Sequence, residues 1–238
     1  MRIYCIRHGE STNNALEGST DYHLRRSFEP TLTSRGVLQA EAAAEHLQEY
    51  IPQRHSRQPI IYTSYMVRAV QTASTIAKKL QLPLQAWRDI HERGGCVDYS
   101  TQQERFVCVP GHGRDYYAEN FPHLELDNTI DASGWNTLRQ LENQRGCYQR
   151  AKRILKELMA KHGSDDRPVI LVSHRMFIGA LATAVLQGHH KASDRIYSHN
   201  VGVTCIAGNN EQCWIDFHNQ YNFLPNSLRT DIPHAMQV

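Results

Sequence analysis

The 238-residue chain is long enough to bury a complete hydrophobic core, and its 40% hydrophobic and 21% charged residues are ordinary for a soluble globular domain. The formal net charge is +2 and the lysines and arginines are scattered, so neither a nucleic-acid surface nor a membrane surface is indicated. Six cysteines form no C-x-x-C pair, which argues against a zinc site. With no signal-peptide pattern and no apolar run of the roughly 20 residues needed to span a membrane, we expect reduced thiols and a cytoplasmic location.

The first part of the chain alternates strand-like and helix-like segments, which predicts an α/β fold. Residues 2–6 predict a strand, and a helical pattern follows over about 33–50, starting at a threonine placed to cap it. The apolar run at 59–64 predicts a second strand. A helix over 67–80 and a weaker strand at 82–87 come next.

Residues 93–134 follow neither the helical nor the strand period and are rich in glycine, proline and aromatic residues. A structureless loop of this length is uncommon in a compact domain unless it is functional or holds short elements of its own. We therefore expect residues 1–238 to form a single domain in which 93–134 is a lid-like insertion that covers the active site.

The last part of the chain returns to regular patterns. A long helical pattern runs from Trp135 to about Lys161, with an interruption or bend near Gly146. Residues 167–174 predict the clearest strand, apolar enough to be buried on both faces of a sheet. The remaining predicted elements are a helix from about Met176, strands at 201–206 and 213–218, and a terminal arm of about 15 residues.

Two of the predicted strands end in similar polar residues. Arg7 and His8 follow the first strand, His174 follows the strand at 167–174, and Arg68 lies one turn into the helix after the second strand. Ligands of α/β sheets bind beyond the carboxyl ends of the strands. If these strands are parallel neighbours, two histidines and two arginines converge on one pocket, and its charge suits a dianion such as a phosphate.

An imidazole in such a pocket has a defined chemical role. Nearby guanidinium groups disfavour its protonated form, so His8 is expected to be neutral and nucleophilic at pH 7. It could then attack phosphorus and form a phosphohistidine that water cleaves. Gly9 is expected to allow the backbone to approach the ligand closely.

The sequence resembles the phosphoglycerate mutase-like branch of the histidine phosphatase superfamily over nearly its whole length. The segment IRHGESTNN is similar to the family signature R-H-G-E-S/T-x-x-N. Five further matches follow in order: PTLTSRGVLQA (30–40), IYTSYMVRAVQTA (61–73), IHERGG (90–95), VILVSHRMFI (169–178) and SHNVGVTCI (198–206). The resemblance implies a three-layer α/β/α sandwich with a mostly parallel central sheet flanked by helices.

The resemblance also implies roles for individual residues. His8 would accept the phosphoryl group, and Glu92 would give a proton to the leaving oxygen and later activate water. The other expected phosphate ligands are Arg7, Arg68 and His174. Asn14 would contact the phosphate or the substrate, and Ser11 and Thr20 would line the mouth. No metal and no cofactor are implied, the partners would be a small phosphorylated substrate and its inorganic phosphate product, and a homo-oligomer is possible.

Some assignments leave alternatives open. Asp89 competes with Glu92, and Asn13 competes with Asn14. Where the family usually has glycine after the second histidine, this chain has Arg175, which either points away from the pocket or adds a contact to an anionic substrate. Arg93, in the insertion, is interpreted as a solvated loop residue.

The favoured function is a metal-independent phosphomonoesterase that acts on a small phosphorylated metabolite. A phosphoglycerate mutase-type phosphoryl transfer is the alternative, but His91-Glu92-Arg93-Gly94-Gly95 lacks the tyrosine-containing E-R-x-Y-G-x-L-x-G segment usual in such mutases. A protein that binds a phosphate ligand without catalysis is the third possibility. The extra cations favour a substrate that carries a second anionic group.

Overall fold

Nine strands and seven α-helices are present in the computed structural model, which describes residues 1–230. The strands are β1 Arg2–Arg7, β2 Ile60–Thr63, β3 Leu84–Ala86, β4 Val97–Ser100, β5 Arg105–Cys108, β6 Leu124–Glu125, β7 Val169–Ser173, β8 Val203–Gly208 and β9 Cys213–Gln220. The helices are α1 Thr12–Ala15, α2 Tyr22–Arg25, α3 Ser34–Tyr50, α4 Val67–Leu80, α5 Arg114–Asn120, α6 Gln144–His162 and α7 Arg175–Val185. Part of the predicted terminal arm, residues 231–238, lies outside the described residues.

Seven of the strands form one sheet in the order β6-β3-β2-β7-β1-β8-β9. Every neighbouring pair from β6 to β1 is parallel, and β8 runs antiparallel to both β1 and β9. β1 and β7 are adjacent and in register, so that Arg7 lies opposite Ser173. The polar residues that follow these two strands therefore meet at one edge of the sheet.

Helices cover both faces of the sheet. On β1, Tyr4 and Ile6 belong to the core formed with α3 and α4, whereas Ile3 and Cys5 belong to the core formed with α6 and α7. The alternation follows from the strand geometry, in which successive side chains point to opposite faces. The predicted three-layer α/β/α sandwich with a mostly parallel sheet is confirmed. No helix in the described range is long and apolar enough to cross a membrane.

The predicted helix from Trp135 was wrong in its first nine residues, because α6 begins only at Gln144. The Asn143 side chain accepts a hydrogen bond from the Gly146 amide, so Gly146 belongs to the first turn instead of a bend. The backbone before it is held elsewhere: the Trp135 amide donates to His112 and the Asn136 amide donates to Pro110. These bonds tie the chain before α6 to the insertion, and the helix starts only at its cap, Asn143.

Residues 93–134 contain the β4–β5 hairpin, α5 and β6. β6 pairs with β3 at the end of the main sheet, and Tyr117 of α5 is fully buried with its ring 5.2 Å from that of Tyr65. The segment therefore builds part of the core and of the sheet edge, as well as the hairpin. That it covers the active site stays a prediction.

Gly9 lies in close contact with the backbone of Gly36, and its expected close approach to a ligand stays a prediction. A Cβ at Gly9 would lie 2.5 Å from the Gly36 carbonyl oxygen, and a Cβ at Gly36 would lie 2.0 Å from the Glu10 carbonyl oxygen. The end of β1 and the first turn of α3 thus cross in direct backbone contact, which only two glycines permit. Gly9 serves this crossing, and the crossing sets where His8 lies.

We predict that Gly36→Ala lowers the free energy of unfolding by about 2 kcal/mol, because the added methyl group would overlap backbone atoms that cannot move independently. The matched control is Gly146→Ala. Both glycines are the third residue of a helix and donate their amide to the capping side chain. At Gly146 the new methyl group is close only to the flexible Glu142 side chain and makes an ordinary contact with Asn143 Oδ1 at 3.6 Å. Denaturant unfolding of both variants tests this, and equal effects would contradict the crossing argument.

Candidate active site

A cavity of about 230 Å³ opens at the carboxyl edge of β1 and β7. Seven of the nine predicted site residues line it: Arg7, His8, Ser11, Asn14, Arg68, Glu92 and Arg175. His174 lies beneath it, fully buried, with its ring centroid 5.2 Å from that of His8. Most of the residues predicted from the sequence therefore lie at this cavity, and the geometry shows what each side chain can do.

His8 is held in one tautomer by two hydrogen bonds. Its Nδ1–H donates to the Gly9 carbonyl oxygen at 2.7 Å, and its Nε2 accepts from the Nε–H of Arg68 at 3.0 Å. Burial lowers the pKa of His8 well below its usual 6.5, and the positive charges of Arg68 and Arg7 lower it further. The imidazole is thus neutral, with its Nε2 lone pair directed at a guanidinium group.

Three buried side-chain atoms have no hydrogen-bond partner among the described residues: Ser198 Oγ and two that belong to predicted phosphate ligands. One is the Nε of Arg7, although its Nη1 donates to the Ser198 carbonyl oxygen at 2.8 Å. The other is Nδ1 of His174, whose Nε2 lies 2.6 Å from Ser64 Oγ. Buried polar groups nearly always have a hydrogen-bond partner, so two unpaired groups beside one cavity are typical of a site that binds a polar ligand.

Glu92 lies at the N-terminus of α7. Its carboxylate accepts hydrogen bonds from the amides of Arg93 (2.8 Å), Met176 (3.2 Å) and Phe177 (3.2 Å). These bonds and the positive end of the helix fix the carboxylate at the cavity wall. Asp89, the alternative to Glu92, instead pairs with Arg153 at 2.8 Å and lines a different cavity.

Asn14 and Ser11 form a capping box at the start of α1. The Asn14 side-chain oxygen accepts from the Ser11 amide at 3.1 Å, and its Nδ2 donates to Glu17 at 2.9 Å. Asn13 also lines the cavity, but its amide group exchanges two hydrogen bonds with the backbone of Ser27. Asn200 donates to the His8 carbonyl oxygen at 3.0 Å, so it supports the end of β1.

The prediction that Thr20 lines the mouth was wrong. Gly18 takes a φ of +91°, and the Ser19 amide bonds to the Leu16 carbonyl oxygen at 3.0 Å, so the chain turns after α1. That turn leaves Thr20 exposed and outside the cavity lining. Arg175, for which two orientations were open, does line the cavity, with its guanidinium carbon 5.6 Å from the centroid of the Tyr197 ring.

Sequence reasoning missed the outer part of the cavity. It is lined by Tyr22, Arg26, Phe28 and Val97. Arg26 donates to the Val97 carbonyl oxygen and lies 5.3 Å from the Phe106 ring, which joins the α2 segment to the β4–β5 hairpin. No periodic pattern marks these residues, because α2 is a single turn and its contacts are made across the chain.

The interpretation of Arg93 as a solvated loop residue was wrong. Arg93 lines the cavity and forms an ion pair with Asp194 at 2.7 Å. Its partner lies about a hundred positions further along the chain, which explains why the local sequence gave no sign of the contact.

Comparisons with known proteins agree with this arrangement. A family model described as histidine phosphatase superfamily (branch 1) matches residues 3–221. The 6-phosphofructo-2-kinase/fructose-2,6-bisphosphatase of Gallus gallus is 27% identical over 177 residues, which are 71% of this chain and 34% of that protein. The chain thus spans about a third of the length of the curated relatives it matches.

Solved structures share the fold. A phosphoserine phosphatase from Entamoeba histolytica superposes with a TM-score of 0.62 at 17% identity, covering 94% of this chain and 99% of that one. A mycobacterial glucosyl-3-phosphoglycerate phosphatase gives a TM-score of 0.60 at 21% identity, covering 92% and 99%. At these identities the likeness establishes the architecture alone.

The state of His8 leads to a prediction about pH. Its folded pKa lies below the value of about 6.5 in unfolded chains, so the unfolded state binds the extra proton as pH falls below 6.5. The free energy of unfolding of the wild type should therefore fall by about 1.4 kcal/mol per pH unit relative to His8→Gln between pH 6 and 5. Denaturant titrations at several pH values measure this difference, and parallel curves for the two proteins would show that His8 is protonated in the fold.

Proposed function

The chain belongs to branch 1 of the histidine phosphatase superfamily, a family of phosphoric monoester hydrolases, and we propose that this member hydrolyses a small phosphorylated metabolite without a metal ion. The observation that carries the proposal is the state of His8: a neutral imidazole whose Nε2 lone pair lies among buried arginines. A phosphate dianion would satisfy the charge of Arg7 and Arg68, and the orphaned Arg7 Nε and His174 Nδ1 would donate to its oxygens.

The first step forms a covalent intermediate. Once the phosphate binds, the Nε–H of Arg68 turns from His8 to a phosphate oxygen, which frees the Nε2 lone pair. Nε2 attacks phosphorus and the bond to the ester oxygen breaks, while Glu92, which would carry a proton in the substrate complex, gives that proton to the ester oxygen. The arginines stabilise the charge that spreads over the equatorial oxygens, as a metal ion does in other phosphoryl-transfer sites.

The second step returns the site to its starting state. The Glu92 carboxylate accepts a proton from water, and the water oxygen attacks phosphorus as the N–P bond breaks. The electron pair of that bond returns to Nε2, inorganic phosphate leaves, and Glu92 is again protonated. The backbone amides that hold the carboxylate keep it at the same wall through both steps.

The charge of the cavity supports a substrate with a second anionic group. Five arginines and two glutamates line it, and Arg7 and Arg68 would hold the phosphate. Of the other three arginines, Arg93 is paired with Asp194, and Arg26 and Arg175 are the two that would face a second anionic group. We infer that phosphorylated hydroxy acids or sugar bisphosphates are better substrates than neutral alkyl phosphates or nucleoside monophosphates.

We predict that phosphate release from a panel of phosphomonoesters proceeds in EDTA and falls by at least about 10⁴-fold in His8→Ala, because no other group at the site can take the phosphoryl group. Acid-labile phosphate should be trapped on the wild type during turnover and be absent from the variant. Labelling with little phosphate release would favour transfer to an acceptor, as in a mutase. If no ester gives either labelling or phosphate release, the protein only binds phosphate ligands, and the proposal is contradicted.

The role of Glu92 gives a separate prediction. Glu92→Gln should lower kcat/KM for alkyl phosphates by about 10²- to 10⁴-fold, because their leaving oxygen needs a proton. p-Nitrophenyl phosphate, whose leaving group departs as an anion, should lose far less in the first step. Burst kinetics separate that step from the hydrolysis of the intermediate. Equal losses for both esters in the burst would exclude Glu92 as the proton donor.

A further inference from the structure

Glu29 is a buried carboxylate that the mechanism above does not use. It lies in the segment between α2 and α3 and is only 7% exposed. It does not line the cavity, whereas its neighbour Phe28 does. Burying a carboxylate is costly unless specific partners satisfy it, so its contacts indicate why it is there.

Both oxygens of Glu29 accept hydrogen bonds from distant parts of the chain. Oε2 accepts from the Val67 amide at 3.0 Å, and Oε1 accepts from the Trp135 indole N–H at 2.6 Å. The Cys96 thiol lies 3.8 Å from Oε1. An arrangement in which each oxygen faces an N–H donor is that of an ionised carboxylate.

The Val67 contact places Glu29 at the start of α4. Val67 is the first residue of that helix, and the residue before it, Met66, supplies no capping side chain. Glu29 thus provides, from another segment, the acceptor and the negative charge that a helix N-terminus favours. The next residue of the same turn is Arg68, whose Nε–H reaches His8.

Glu29 and Arg68 also stabilise each other's charge. Burial raises the pKa of Glu29, and the hydrogen bonds from Trp135 and Val67 and the charge of Arg68 offset only part of that rise. Burial lowers the pKa of Arg68, and the negative charges of Glu92 and Glu29 oppose that change. The guanidinium group beside His8 thus has one compensating charge at the cavity wall and one behind the helix.

We propose that Glu29 is a positioning residue for phosphoryl transfer, which holds the first turn of α4 and with it the Arg68 guanidinium in place against His8 and the phosphate. The inference rests on the function proposed above. It adds a residue that touches neither substrate nor nucleophile and acts through Arg68. A displacement of about 1 Å at such a group can cost on the order of 10²-fold in rate.

The test compares Glu29→Gln with Trp135→Phe. Glutamine has nearly the same shape, but it loses the charge, and its NH₂ group must face either the Val67 or the Trp135 N–H donor. Trp135→Phe removes one donor from the same carboxylate, while the charge and the Val67 contact remain. Both variants should melt at a lower temperature than the wild type, which makes them a matched pair for stability.

We predict that Glu29→Gln lowers kcat/KM by about 10- to 100-fold and weakens the binding of inorganic phosphate by a similar factor, whereas Trp135→Phe stays within about threefold of the wild type. Titration calorimetry measures the phosphate affinity without turnover. The ¹⁵N chemical shift of His8 Nε2 reports whether Arg68 still donates to it. All measurements are made at a temperature where circular dichroism shows each variant to be folded.

Wild-type phosphate affinity and an unchanged His8 Nε2 shift in Glu29→Gln would overturn the inference, as would equal losses in both variants. If Glu29→Gln does not fold, Glu29→Asp decides, since it keeps the charge but withdraws the carboxylate by one methylene group. A loss of at least about threefold in phosphate affinity would support positioning, and wild-type affinity would refute it. A wild type that neither binds phosphate nor hydrolyses esters would instead refute the proposed function.

Discussion

The hydrogen bond from the Arg68 Nε–H to Nε2 of His8 is the interaction on which the candidate site depends. It requires a neutral imidazole, and the buried positive charges around the ring enforce that state. Charged groups are costly to bury, so the fold must supply them with acceptors and with opposite charge. The carboxylates of Glu92 at α7 and of Glu29 at α4 serve this requirement, and the Gly9–Gly36 crossing places the end of β1 that carries His8.

The central part of the site could be predicted from the sequence because its residues follow strands. Arg7 and His8 come directly after β1, and His174 comes directly after β7, and the two strands are parallel neighbours in register. Parallel strands present their carboxyl ends at one edge, so local patterns suffice to bring these side chains together. The family signature added Glu92, which lies in a loop where no periodicity could have marked it.

The other residues of the site, and the residue that supports it from behind α4, depend on contacts between positions far apart in the chain. Arg26 is held by the hairpin, Arg93 by Asp194, and Glu29 by an amide and an indole from two other segments. None of these contacts leaves a period or a motif in the sequence. The start of α6 was misplaced for the same reason, because the backbone before Gln144 bonds to the insertion instead of continuing the helix. Tertiary contacts here override local preference.

The central claim is that the phosphoryl group passes through His8 on its way to water. The most direct test is the stereochemical course at phosphorus: a phosphorothioate monoester made chiral with ¹⁶O and ¹⁸O is hydrolysed in H₂¹⁷O, and the configuration of the released thiophosphate is determined. Two in-line displacements, one by Nε2 and one by water, predict net retention of configuration. Net inversion would mean a single direct displacement and would contradict the covalent role assigned to His8.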